Sequence, residues 1–233
     1  MAGHWESVGT GMWIGEYRFN GNPMNTFVVD LGAGRLAVFS PGVDTTDEVF
    51  TALDALGKVV ALVSPGAFHN VGLPKWHTRY PDAKLYATQS GLAHIAKRHP
   101  TLPALAPVST LSELAGDAIV VYETPGKKHG DLVMFVPRGE EVALYNCEYL
   151  INWEDAPRNP IFRLIFKWTD SAPGLRMSKP TSWFLSSDLG EVARFCLEKI
   201  ATHGVTCFVP CHGKTVRGPD TKKRLEEAIR MRL

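Results

Sequence analysis

The sequence predicts a mixed α/β protein in which an alternating βα region is followed by a run of antiparallel strands. Residues 59–63 read Val-Val-Ala-Leu-Val without polar alternation, which is typical of a parallel strand covered on both faces. Apolar strands and amphipathic helices alternate through residues 27–99. Three strand-like segments then follow one another over 117–150 without helices between them, and this order favours an antiparallel meander.

The first half of the chain contains the elements of a largely parallel sheet. Residues 27–31 and 36–39 are predicted to form a hairpin around a Gly-Ala-Gly turn. A helix follows, with capping-box spacing between Thr45 and Glu48 and with Gly57 placed to end it. The remaining elements are the strand 59–63, a short helix over 73–81, a strand over 84–88 and a helical segment over 91–100.

The second half begins with strands predicted over 117–124, 131–137 and 140–150. Residues 151–183 are rich in proline and contain an amphipathic stretch, IFRLIFKW, so we expect an insertion that forms a lid, a dimer arm or a packed extension. A helix beginning near Asp188 presents Leu189, Val192, Cys196 and Ile200 on one buried face. The apolar strand VTCFVPCHG and a charged helix end the chain.

The length of the chain and its charge balance indicate how many domains and which kinds of partner to expect. A chain of 233 residues is expected to form a single domain, residues 1–233, with a sizeable core. Lysine and arginine total 25 against 24 aspartates and glutamates, and no long block of either sign occurs, so neither nucleic acid nor a membrane is expected as a partner. The first residues lack a secretory pattern, which predicts a cytoplasmic protein; a homo-oligomer is compatible with the sequence.

Polar residues that could carry chemistry follow the apolar strands. His69 lies beyond the strand 59–63, Glu148 follows the strand that contains Tyr145, and His212 ends the last strand, while His129 lies in a loop between two strands. If these loops meet at one sheet edge, imidazole and carboxylate groups could bind a divalent ion such as Zn or Fe. No short-range spacing supports this site by itself.

The four cysteines give a weaker signal. Cys207 and Cys211 have a C-x-x-x-C spacing, which is a weak indication of a metal or redox site. Cys207 lies at the start of an apolar strand, and free cysteine is among the most buried residue types. We therefore expect Cys207 to be a buried strand residue, and four cysteines are too few for a disulfide scaffold.

The order of these elements resembles the metallo-β-lactamase superfamily over nearly the whole chain. The segments that carry the resemblance are ALVSPGAFHNVGLPKWHTRYPDAKLYAT, TPGKKHGDLVMFV, VALYNCEYL and FVPCHG. In that family the first carries H-x-H-x-D-H, the second P-G-H-T-x-G-S, the third G-D after a strand and the last P-G-H-G. The resemblance implies a four-layer αββα sandwich whose two halves meet at a metal site.

Most ligand positions of the family are changed in this chain. The two early histidines of the first motif fall on Ser64 and Gly66 and its aspartate on Phe68, so that only the closing histidine is kept, as His69. In the second motif, Lys127 stands where the ligand histidine is expected, and His129 follows two residues later. The bridging aspartate corresponds to Glu148 and the last histidine to His212, with Cys211 in place of a glycine.

The resemblance therefore implies at most one metal ion. Ser64 and Gly66 supply no nitrogen ligand, whereas His69, Glu148 and His212 could hold a single Zn or Fe ion, with His129 as a less favoured substitute. Such an ion would activate water for attack on an ester, thioester or lactone-like bond of a small-molecule substrate. Lys127, His129, Ser64 and Phe68 are the candidate substrate-binding residues.

A non-catalytic alternative remains open. The loss of two histidines and of the aspartate makes the cleft drier and less charged, as in a protein that binds a small-molecule ligand or a partner without metal. His69 and His212 would then hydrogen bond to each other or to Glu148, and no ion would be present.

Overall fold

The computed structural model describes residues 4–126 and 128–233. The chain divides into two compact units, one ending at Val121 and one beginning at Tyr122. Both units combine a β-sheet with helices, as the predicted α/β class requires.

The first unit contains a seven-stranded sheet in which the strands follow chain order. The first three pairings are antiparallel and the last three are parallel. The predicted hairpin and the parallel strand 59–63 are therefore confirmed. The strands are β1 Glu6–Gly9, β2 Met12–Phe19, β3 Asn22–Asp30, β4 Arg35–Phe39, β5 Lys58–Ser64, β6 Lys84–Ala87 and β7 Ala106–Pro107.

Helices connect the parallel strands of this unit and cover its core. Trp76 lies at the centre, fully buried, with its ring edge against Phe50 at a centroid distance of 5.0 Å and its indole N–H bonded to the carbonyl of Gly42. Burial of aromatic side chains of this size is a large share of the hydrophobic stabilisation of such a layer. The helices are α1 Asp47–Asp54, α2 Leu73–Arg79, α3 Leu92–Arg98 and α4 Leu111–Ala115.

The second unit contains a five-stranded sheet with the order β14-β13-β10-β9-β8 and a separate two-stranded sheet, β11-β12. The pairing of β9 with β10 is antiparallel, as predicted, whereas β10 and β13 are parallel. The strands are β8 Val120–Glu123, which spans the boundary residue Val121, β9 Leu132–Arg138, β10 Glu141–Asn146, β11 Leu150–Trp153, β12 Gly174–Met177, β13 Cys207–Pro210 and β14 Val216–Arg217.

The helices of the second unit follow the predicted pattern at its carboxyl end. The Asp188 side chain caps the long helix by accepting a hydrogen bond from the backbone N–H of Glu191 at 2.9 Å. The predicted buried stripe is present at Val192, Cys196 and Ile200, which have almost no exposed surface, whereas Leu189 at the start of the helix is only partly buried. The helices are α5 Pro160–Trp168, α6 Lys179–Leu185, α7 Leu189–His203 and α8 Thr221–Arg230.

Three local expectations need correction. Helix α1 has Thr46 as its N-cap, one residue after the predicted cap Thr45. The Thr45 hydroxyl instead donates to the carbonyl of Gly42, so the predicted capping box with Glu48 does not form. The single strand predicted over 140–150 is interrupted at residues 147–149. The segment 151–183, expected to be a proline-rich insertion with one amphipathic stretch, contains two strands and two helices.

Within residues 4–126 and 128–233, no helix is both long enough and apolar enough to cross a membrane.

Candidate metal centre

Two cysteines of the second unit are brought together by the parallel pairing of β10 with β13. The register aligns Asn146 with Pro210, so the next residue of each strand, Cys147 and Cys211, lies at the same edge of the sheet. The backbone N–H of Cys211 donates to the carbonyl of Asn146 at 3.0 Å and continues the ladder to this point. The two buried thiols are hydrogen bonded to each other.

His212 adds an imidazole to the two thiols. One of its ring nitrogens and the Sγ atoms of Cys147 and Cys211 lie within 4.8 Å of one another. The ring stands edge-on to Trp153, with a centroid distance of 5.6 Å and an interplanar angle of 87°. Its backbone carbonyl accepts a hydrogen bond from the N–H of Asn152 at 2.9 Å. Packing and backbone contacts therefore hold this imidazole in the cluster.

The donor set suits a borderline-soft divalent cation. Thiolate sulfur and imidazole nitrogen are the ligands that zinc prefers, and three such groups leave one position of a tetrahedral ion open. Burial raises the pKa of the Cys147 thiol well above its usual value, and the hydrogen bond and negative potential from Cys211 act in the same direction. The Cys147 thiol is therefore favoured in its protonated form without a cation, and cation binding would release its proton.

Glu148 places a carboxylate beside this cluster. Its Oε2 atom is 3.7 Å from Nε2 of His212, and both side chains are largely buried. The Glu148 carbonyl accepts a hydrogen bond from the Thr181 hydroxyl at 3.0 Å, so the backbone that carries the carboxylate is fixed. The sequence-predicted pair of Glu148 and His212 is thus brought together by the loops that follow β10 and β13.

Asp131 supports the loop that carries Cys147 and Glu148. One carboxylate oxygen, Oδ2, accepts hydrogen bonds from the Asn146 amide at 2.9 Å and from the backbone N–H groups of Glu148 and Tyr149 at 2.8 and 3.2 Å. Complete burial, together with the charge of Glu148, raises the pKa of Asp131 to about 8. A buried carboxyl thus organises the chain between β10 and β11.

His69 lies in the first unit, in the loop that follows β5. Its Nδ1 atom is 2.8 Å from the Ser40 hydroxyl and 3.3 Å from that of Tyr17, and the two hydroxyls are 2.9 Å apart. Ser40 has a positive φ of 53°, and its backbone N–H donates to the carbonyl of Val63 at 3.0 Å, which places its hydroxyl toward the ring. Two hydroxyls therefore fix the orientation of the His69 imidazole.

The other sequence-predicted site residues have different surroundings. Ser64 is fully buried, and its hydroxyl lies 2.8 Å from the carbonyl oxygen of Gly66 and 3.0 Å from that of His69. Phe68 is 39% exposed and packs edge-on against the ring of His94. His129 is buried, and its backbone N–H donates to the carbonyl of Leu185 at 3.3 Å. Lys127 lies outside the described residues.

The sequence prediction missed Cys147 as a metal-ligand candidate and paired Cys211 with Cys207. Cys207 is buried inside β13, four residues before the cluster residue Cys211. A usable signal was present, because both cluster cysteines directly follow an apolar strand and directly precede a predicted ligand: Cys147 before Glu148 and Cys211 before His212.

Comparison with known proteins gives matches in structure but not in sequence. No family model matches the chain. No curated protein is similar to it in sequence. Several solved structures match at a probability of 1.00.

Three of these structures illustrate the likeness. DIM-1 metallo-β-lactamase is 17% identical and matches with a TM-score of 0.64 over 97% of this chain and 96% of its own. FIM-1 metallo-β-lactamase from Pseudomonas aeruginosa, in its mono-zinc form, is 11% identical, with a TM-score of 0.62 over 97% and 94%. A diflavin flavoprotein fragment from Nostoc is 13% identical, with a TM-score of 0.65 over 98% and 95%. At these low sequence identities, the matches show similarity of fold and nothing about activity.

Proposed function

We propose that this protein, which has the metallo-β-lactamase fold, binds one divalent ion of the zinc class and hydrolyses an ester, thioester or lactone-like bond in a small molecule. The proposal depends on one observation: the ligand atoms of Cys147, Cys211 and His212 lie within 4.8 Å of one another. Two thiolates and one imidazole match zinc better than they match iron, because sulfur is a soft ligand.

Three ligands from one unit leave a coordination position for water or substrate. A bound ion of this kind supplies Lewis acidity that polarises water and carbonyl oxygens. Glu148 is proposed as the general base, because its carboxylate is 3.7 Å from the His212 ring and so lies beside the ligands. The ring of Trp153 packs edge-on against the ring of His212 and limits the movement of this imidazole.

Metal analysis of the purified protein tests the site. After treatment with a chelator and reloading with Zn²⁺ or Co²⁺, one ion per chain is expected, and the Co²⁺ form should show sulfur-to-metal charge-transfer absorption. Cys147→Ser, Cys211→Ser and His212→Ala should each weaken binding by more than about 100-fold, the upper range for loss of an outer-shell partner. Cys207→Ser is the matched control, because this buried cysteine lies outside the cluster.

Activity is tested separately with a panel of ester, thioester and lactone substrates. Glu148→Gln should keep the ion and lose hydrolysis, since the amide cannot accept the proton of water. Equal hydrolysis by the metal-free and loaded protein would contradict the hydrolase proposal, and absence of a stoichiometric ion would contradict the site itself.

A further inference from the structure

Helix α5 exposes an unusual amount of apolar surface. Ile161, Leu164 and Trp168 are 69%, 70% and 80% exposed. Their spacing of three and four residues places them along one side of the helix. Large apolar side chains exposed together in this way mark an interaction surface more often than isolated ones do.

Helix α6 and the first turn of α5 contribute further aromatic surface. Trp183 and Phe184 on α6 are 49% and 55% exposed, and Phe162 on α5 is 43% exposed. We use the term α5–α6 surface for the exposed side chains Ile161, Phe162, Leu164, Trp168, Trp183 and Phe184.

Helix α5 is held in place although its apolar side is exposed. The Asn159 side chain caps it by accepting hydrogen bonds from the N–H groups of Ile161 and Phe162 at 3.0 and 3.2 Å. On its packed side, the ring of Phe166 lies 5.3 Å from that of Trp153. The exposed residues are therefore presented on a fixed helix.

The charged residues of α5 and of the four residues before it are all basic. Residues 156–168 contain Arg158, Arg163 and Lys167 and no acidic residue, whereas the whole chain has almost equal numbers of both signs. Arg163 and Lys167 are one turn apart on the exposed part of α5. Tryptophan, phenylalanine and leucine flanked by basic residues are characteristic of helices that lie in the headgroup region of a bilayer.

We propose that the α5–α6 surface docks on an anionic lipid bilayer, with α5 lying in the plane of the membrane interface. The apolar side chains would enter the boundary between headgroups and acyl chains, and Arg163 and Lys167 would pair with lipid phosphates. A symmetric contact with a second copy is less favourable, because it would bring the same basic side chains of two helices together without an acidic residue on α5. The balanced charge of the whole chain led us to expect no membrane partner. The proposal differs because binding would depend on the local positive charge of α5.

Vesicle sedimentation of the full chain tests the proposal. Binding is expected with vesicles of phosphatidylcholine and phosphatidylserine, and it should weaken with phosphatidylcholine alone or at high salt. Arg163→Gln combined with Lys167→Gln should weaken binding about 25-fold, from roughly fivefold per basic residue. Leu164→Ser combined with Trp168→Ser should weaken it about tenfold or more, through lost apolar insertion. Met231→Ser, another exposed apolar residue outside the surface, is the control and should have no effect.

The results distinguish a lipid bilayer from a second copy of the chain as the partner of the α5–α6 surface. Selective, salt-sensitive binding that both double variants lose supports the proposal. No sedimentation with anionic vesicles, or equal sedimentation with neutral ones, overturns it. A concentration-dependent dimer in light scattering that is lost in the Leu164→Ser and Trp168→Ser variant, without vesicle binding, also overturns it and assigns the surface to a second copy.

Discussion

Replacement of Asp131 tests whether this buried carboxyl organises the loop between β10 and β11. Its Oδ2 accepts three hydrogen bonds, from Asn146, Glu148 and Tyr149, whereas its Oδ1 is buried without a hydrogen-bond partner among the described residues. Asparagine has the shape of the protonated acid and keeps one acceptor oxygen. Alanine removes the acceptor and leaves three donors facing a cavity.

The expected cost follows from these three hydrogen bonds. A buried donor that loses its acceptor costs about 1–3 kcal/mol, and partial access of water to the new cavity reduces the sum. We therefore expect Asp131→Ala to lower the free energy of unfolding by about 3 kcal/mol or more, and Asp131→Asn by about 1 kcal/mol. Urea denaturation of the metal-free protein measures both changes. A loss below about 1 kcal/mol in the alanine variant, or equal losses in both variants, would refute the role assigned to Oδ2.

The same group predicts a pH dependence. Burial, aided by the charge of Glu148, raises the pKa of Asp131 from 3.8 to about 8, so the folded protein binds more protons than the unfolded chain between these values. Its stabilising contribution is therefore complete below the unfolded pKa and is lost as pH rises through the folded pKa. The wild type should lose stability relative to Asp131→Asn as the pH is raised from 4 to 8. A constant difference between the two proteins over this range would contradict the assignment.

Two further predictions concern other parts of the second unit. His203 stacks on Phe135 at 4.3 Å, and burial, aided by the charge of Lys199, lowers its pKa. Its contribution to stability is therefore present above the unfolded pKa of about 6.5 and is lost below it, as pH falls through the lowered folded pKa; His203→Phe should make acid unfolding less steep in a pH titration followed by circular dichroism. Gly213 has a φ of 103°, and a Cβ there would overlap the carbonyl oxygen of Asn152. Gly213→Ala should lower both metal affinity and thermal stability more than Gly139→Ala, whose Cβ would meet no atom within 4 Å at a φ of 62°.

Much of the fold could be predicted from local sequence, because the spacing of hydrophobic residues determines which segments form strands and which form helices. The apolar run in β5 and the stripe on α7 each match a single type of element. The break between β10 and β11 could not be predicted in this way, because the apolar pattern continues through it. The chain turns there because Asp131, more than ten residues earlier, binds the N–H groups of Glu148 and Tyr149.

The candidate site was predicted only in part for a similar reason. The sequence indicates that His212 and Glu148 follow strands, and the structure places their side chains 3.7 Å apart; their role as ligands remains a prediction. Cys147 and Cys211 are a pair only because Asn146 is aligned with Pro210, and strand register between distant segments is not visible in spacing. The C-x-x-x-C spacing pointed instead to Cys207, which lies within the strand.

The loop after β5 explains how the chain keeps its shape without the early histidines of the family pattern. Ser64 stands at the first of these positions, and its hydroxyl lies within hydrogen-bond distance of the carbonyls of Gly66 and His69. These contacts link both ends of the loop, which is the task that shared coordination of an ion performs when histidines are present. Ser64→Ala should therefore destabilise the fold by about 1–2 kcal/mol, because the one buried hydroxyl donor that the two carbonyls share is lost, while zinc stoichiometry stays unchanged. A loss of zinc without a loss of stability would show that this loop still depends on an ion.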